Sequence, residues 1–185
     1  MFDVERFIED CKAVAEKYDT PHAIREVVQS AVEDPAAMVK ALGEPEWSGV
    51  ERLYVSDNLT ILNIAWGPGL RFPPHNHNMW AVIGIYGGRE DNTFFRSDET
   101  GLHREGFREL VEKETIPLGP QAIHAVVNPL DKMTAAIHVY GGDFFSRPRS
   151  EWGPTSLEEK PYDLERNMAR FEENNAELRR RRGLD

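Results

Sequence analysis

Gly69-Leu70-Arg71-Phe72-Pro73-Pro74-His75-Asn76-His77 sets two histidines one residue apart, after a proline pair and six residues beyond a glycine. Side chains alternate along an extended strand, so His75 and His77 point to one face. Two imidazoles on one face suit a shared metal ion. A His-x-His pair by itself is a weak signal, and its surroundings decide. Gly87-Gly88 closes the apolar run that follows, and Pro117-Leu118-Gly119 precedes Ile123-His124-Ala125-Val126-Val127-Asn128. The second segment holds a turn, a histidine, and an asparagine four positions on. With about 45 residues between the two segments, His75, His77 and His124 become the candidate metal ligands.

Outward from this stretch, the period of the apolar residues changes twice. Leu53, Val55, Leu59, Ile61, Ile64 and Trp66 are β-branched, aromatic or otherwise apolar, with turn residues among them. Gly67-Pro68-Gly69 marks a turn, and strands are expected over Trp80–Tyr86, Asn92–Arg96, Gly106–Glu112, Ala122–Asn128 and Ala135–Tyr140. Short strands at such spacing predict a sandwich or barrel. Before them, Phe2, Phe7, Ile8, Cys11, Val14, Ala15 and Tyr18 form a helical stripe. Thr20-Pro21 and Asp34-Pro35 each give a cap followed by proline at the first helical position, and Gly43 ends the third helix. Gly141–Pro154 reads as a loop, and Leu157–Arg182 as a charged helix broken near its start by Pro161. The expected organisation is a helical segment over 1–48, a β-barrel over 49–150 and a partly helical tail over 151–185, as one domain overall. The stretch after Gly141, with Trp152-Gly153-Pro154, is expected to fold over the barrel mouth.

The chain has 185 residues, enough to bury a core. Its net charge of −10 disfavours nucleic acid or an anionic membrane as the main partner, because phosphates would be repelled. Arg179-Arg180-Arg181-Arg182 reads as a solvated helix end, where cations complement the helix dipole. Lone Cys11 lies on the apolar stripe, a core position consistent with a reducing cytoplasm. Met1–Arg6 lacks the order of a signal peptide, and no apolar run approaches the ~20 residues of a membrane span. A cytoplasmic monomer or homodimer is expected. His22 and His103 read as surface residues.

The two histidine segments resemble the paired motifs of the cupin superfamily, which implies a mainly β double-stranded β-helix (jelly-roll) barrel with helical additions at both ends. In cupins the motifs lie on facing strands and their histidines converge inside. Most cupins carry a glutamate four residues after the second histidine, where this chain has Ala81. Three neutral imidazoles leave a divalent ion its full charge and open positions. From about Tyr54 to Phe145 the chain is similar to the cysteine dioxygenase family, including the bacterial 3-mercaptopropionate dioxygenases. Trp66-Gly67-Pro68-Gly69, His75-Asn76-His77, Trp80 and Ile83-Gly84 match the first motif; His124–Pro129 and Ile137-His138-Val139-Tyr140 match the second motif and the strand after it.

That resemblance implies ferrous iron on His75, His77 and His124, with other divalent metals such as nickel or zinc as possible occupants. It implies catalytic roles for Tyr140 and His138, a small thiol and dioxygen as substrates, and a sulfinate as product. Phe72, Met79, Trp80 and Arg71 are the candidate substrate contacts, with Ile83 and Phe95 as further apolar lining. The chain departs from the family at Ala136, where the relay serine would stand, and in lacking a clear carboxylate-binding arginine near Tyr54-Val55-Ser56. Arg71, Arg89, Arg96 and Arg147 are the substitutes in view. Two other readings stay open: a three-histidine cupin enzyme on another small molecule, and a non-catalytic metal- or small-molecule-binding cupin.

Overall fold

Local signals start and stop the helices much as their sequence predicts. The computed structural model describes residues 2–18 and 20–184; Met1, Asp19 and Asp185, which include both outer ends of the expected segments, lie outside the described residues. Helix α1 spans Val4–Lys17, α2 Pro21–Val32 and α3 Pro35–Leu42. Asp3, Thr20 and Asp34 accept backbone N–H bonds as caps, and Gly43 ends α3 at φ +87°, outside the left-handed helical region but open to glycine. Cys11 is fully buried in α1, and burial pushes its thiol up to about 12.

Eleven strands follow: β1 Gly49–Val55, β2 Thr60–Trp66, β3 Arg71–Asn76, β4 Ala81–Gly87, β5 Arg89–Asp98, β6 Gly101–Val111, β7 Thr115–Leu118, β8 Ile123–Val127, β9 Thr134–Tyr140, β10 Ser150–Trp152 and β11 Glu159–Pro161. Helix α4, Leu164–Arg182, comes last among the elements. The strands form two antiparallel sheets, in the orders β1-β2-β9-β4-β7 and β11-β10-β3-β8-β5-β6. Two such sheets face to face make a jelly-roll barrel, mainly β, with helices before and after it.

Alternation divides the side chains of the first sheet. Leu62, Ile64, Trp66, Ala81, Ile83, Ile85, Ala136 and Tyr140 turn inward to the barrel core. Leu59, Ile61, Trp80, Val82, Tyr86, Ile137 and Val139 turn outward, where α1, α2 and α3 cover them. Both faces of β4 and β9 are therefore dry, which explains why apolar residues dominate both strands. The C-terminal helix packs Phe171 into the inner core.

Three expectations need correction. Gly141–Pro154 is not all loop, because Ser150–Trp152 pairs with both β3 and β11. The helix of the tail begins at Leu164, after strand β11, and not at Leu157. Strand β7 lies in a stretch from which no strand was expected. Among the described residues, no helix is long and apolar enough to cross a membrane.

Candidate metal centre

His75 sits on β3 directly opposite His124 on β8, so two of the histidines come from neighbouring strands of one sheet, not from facing strands. The pairing of β3 with β8 shifts register between Phe72 and His75, at Pro73-Pro74. Proline has no N–H for the ladder, and the irregularity lets Phe72 and His75, an odd number apart, both face the interior. His77 follows on the same side, just before Asn78 turns the chain at φ +52°.

All three rings are buried, and their candidate ligand nitrogens lie within 4.8 Å of one another. Neighbouring groups fix which nitrogen is bare. His75 Nδ1 lies 2.9 Å from the Pro73 carbonyl, which can only accept, so Nδ1 carries the hydrogen. His124 Nδ1 lies 2.7 Å from Asn92 Oδ1, oriented by the Asn92 amide donating to Glu90 at 3.0 Å. Nε2 is therefore the free lone pair on both. His77 Nε2 stands 3.0 Å from His124 Nε2. Metal–nitrogen bonds of about 2.1 Å at a right angle would span about 3 Å, so these residues fit a single divalent ion.

Burial, reinforced by the neighbouring histidines, holds His77 and His124 well below the usual imidazole range. His75 falls to about 4, chiefly through burial and despite its bond to Pro73. All three are neutral near pH 7, the form that ligates. Among the described residues no carboxylate or thiolate joins the cluster.

Val50, Leu62, Ile64, Trp66, Phe72 and Val126 wall a chamber of about 30 Å³ around the histidines, and Phe144, Tyr162, Met168 and Phe171 close it. Phe72 is thus beside the site. Met79 is buried in the same core and Ile83 behind it, but neither lines the chamber. Trp80 faces the helices on the opposite side of the sheet, one residue out of phase with Ala81. Arg71 is exposed and borders an outer groove, and Phe95 packs with Leu102, Ile123 and Trp152 away from the metal site. His22 and His103 are exposed.

Tyr140 and His138 do enter the chamber, with His138 Nδ1 2.9 Å from the Tyr140 hydroxyl. The Tyr140 ring lies 5.1 Å from that of His77, and burial raises its phenol far above the ordinary value. Asn128, flagged by its place in the second motif, is structural. It bonds the backbones of Trp66, Lys132 and Leu130.

Glu90 and Arg149 are among the buried charged residues that escaped sequence reasoning. Glu90 on β5 is fully buried next to the His124–Asn92 pair. Arg149 is 7% exposed, and its guanidinium lies 4.2 Å from the Phe144 ring and 4.1 Å from the Tyr162 ring. It donates to the Phe144 carbonyl, while its Nε and Nη2 have no hydrogen-bond partner. Its positive charge also helps to keep His75 and His77 unprotonated. None of the four arginines singled out from sequence reaches the chamber. Arg71 and Arg147 are exposed, Arg89 pairs with Asp91 and Glu109, and Arg96 pairs with Asp98. An arginine between aromatic rings shows no periodic signal, though Phe144, Arg149 and Trp152 close together in sequence were the available clue.

No family model matches the sequence. Solved structures of similar shape include proteins described as cupins. An RmlC-like cupin with a double-stranded β-helix fold from Methanocaldococcus jannaschii aligns at TM-score 0.46 and 14% identity, covering 56% of this chain and 87% of its own. A cupin superfamily protein from Desulfitobacterium hafniense aligns at 0.44 and 16%, covering 55% and 83%. An oxalate oxidase bound to the substrate analogue glycolate aligns at 0.43 and 16%, covering 54% of this chain and 53% of that one. The jelly-roll assignment stands on strand order and register.

Proposed function

We propose that the protein is a thiol dioxygenase that converts a small carboxylate-bearing thiol, of the cysteine or 3-mercaptopropionate kind, to its sulfinate. One observation carries the reading: three buried neutral imidazoles converge with no anionic ligand, beside a buried arginine with unpaired N–H groups. In the overall reaction both atoms of dioxygen end on sulfur and the thiol proton is released. Ferrous iron, when held by His75, His77 and His124, supplies the redox centre at which thiol and dioxygen meet.

The chain's own residues supply the rest. Neutral ligands leave the local charge positive, which favours a thiolate over a thiol. Arg149 offers a substrate carboxylate the donors that the protein leaves unpaired, and a desolvated guanidinium–carboxylate pair is strong. Phe72, Phe144 and Phe171 exclude water, and Tyr140, held by His138, places a hydroxyl beside the metal ligands.

Oxygen uptake and sulfinate yield, with ferrous iron and cysteine, 3-mercaptopropionate or cysteamine, test the reading. The two carboxylate thiols are expected to consume one dioxygen per thiol, and cysteamine to react poorly. His124→Ala serves as the metal-free blank. Arg149→Met is expected to raise KM for the carboxylate thiols at least tenfold without changing iron content, since losing one partner of a buried pair costs about 2–5 kcal/mol. If no thiol drives oxygen uptake, the proposal is wrong. The chamber volume of about 30 Å³ favours a second reading in that case, a barrel that holds a metal and admits no organic substrate.

A further inference from the structure

Glu90 and Asn92 are two apart on β5, so both point into the barrel, and both are fully buried. Glu90 Oε1 accepts from the Asn92 amide at 3.0 Å. Its other oxygen, Oε2, has no hydrogen-bond partner and lies 3.7 Å from His138 Nε2, which also has none. Ala136, next to His138 on the same face of β9, brings no polar atom. A buried carboxylate oxygen without a donor is costly, so the nearest unpaired ring nitrogen is its natural partner.

We infer that Glu90 is the positioning residue of the His138–Tyr140 pair, holding His138 with its hydrogen on Nε2 so that Nδ1 accepts the Tyr140 hydroxyl. A carboxylate can only accept, so Nε2 facing it carries the hydrogen. Nδ1 is then bare, and at 2.9 Å it takes the hydrogen of Tyr140. The lone pairs of the Tyr140 oxygen remain free on the chamber side. Through Asn92 the same carboxylate also aligns His124, whose Nδ1 donates to Asn92 Oδ1 at 2.7 Å. One buried group thus orients a metal ligand from one sheet and the tyrosine pair from the other.

The inference deepens the dioxygenase reading and rests on it for its kinetic consequence, but not for the hydrogen-bond assignment. Glu90→Gln is nearly isosteric. Its carbonyl oxygen stays with the Asn92 amide, which turns an NH₂ toward His138 Nε2. The ring must then move its hydrogen to Nδ1 and donate to Tyr140, a reversal that a merely space-filling Glu90 would not produce.

Nitrogen-15 imidazole spectra of zinc-loaded protein report which nitrogen carries the hydrogen, with His138→Gln identifying the signal. Wild type is expected to show Nε2–H and Glu90→Gln to show Nδ1–H. The iron form of Glu90→Gln is expected to lose at least tenfold in kcat with little change in KM or metal content. Nδ1–H in wild type overturns the assignment without need of any variant, and so does Nε2–H retained in Glu90→Gln. If wild type oxidises no thiol, the dioxygenase reading falls, while the spectra still decide the role of Glu90.

Discussion

Burial, more than any neighbouring charge, sets the protonation state of the three clustered histidines. An imidazole ordinarily titrates near 6.5, but in the folded chain burial lowers His75 to about 4 and holds His77 and His124 well below the usual range. Between those values the unfolded chain binds protons that the folded chain refuses, so stability falls as pH drops through this window. Each such group contributes at most about 1.4 kcal/mol per pH unit. The metal-free protein should therefore melt at progressively lower temperature from pH 7 to pH 5, and a level melting temperature would contradict neutral buried ligands. Residue by residue, the gathering of the three histidines was legible because His-x-His on a strand has only one parity and His124 stands in the second motif. Trp80, named as a substrate contact from its residue type and motif position, faces the other way, since nothing local says on which residue β4 begins; with the strand starting at Ala81, the indole turns toward the helices. Arg149 and Glu90 were illegible, because their meaning lies in burial beside groups far away in sequence.

Elements carry the next level of information. Strand β4 can seat α2 closely only because Gly84 has no side chain. A Cβ there would stand 2.5 Å from Val28 Cγ1 and 2.9 Å from Val32 Cγ1. Gly84→Ala is expected to cost about 1–3 kcal/mol through overpacking. Thermal unfolding should show a drop of several degrees, on a scale of about 2–4 °C per kcal/mol for a chain of this size. Metal content should hold, since the added methyl points away from the barrel interior. An unchanged melting temperature would show that α2 is loosely seated. Capped helices and the long strands β2, β4 and β9 were readable, their signals being proline, polar caps and sustained apolar runs. Strands β7, β10 and β11 were not. Each has four residues or fewer, and two contain a proline, so their strand character comes from the sheet they join.

At the scale of the whole molecule, the barrel and its last helix are tied by buried polar contacts. Asn175 on α4 accepts from Ser48 N at 2.8 Å and donates to Ser48 O at 2.9 Å, just before β1. Glu151 on β10, 1% exposed, is bonded by Arg166 and by Asn167, both on α4. These contacts hold Met168 and Phe171 against the chamber. Asn175→Ala would leave two buried backbone groups unpaired, at a cost on the order of 2–4 kcal/mol. It should both lower the melting temperature and speed metal loss to a chelator; loss of stability with unchanged metal exchange would show that α4 does not seal the site. The expectation of a tail over the barrel mouth anticipated this arrangement without the residues that make it, because asparagine contacts across more than a hundred positions leave no pattern along the chain.

That seal also has an order in time. A ribosome makes His75, His77 and His124 well before it reaches Met168 and Phe171, so the ligands exist while their wall is still missing. During synthesis the pocket is an open bowl, and only the arrival of α4 turns it into a closed vessel. An ion bound at the three histidines would meet the fewest obstacles before α4 docks, and Met168 and Phe171 would bar its exit afterwards.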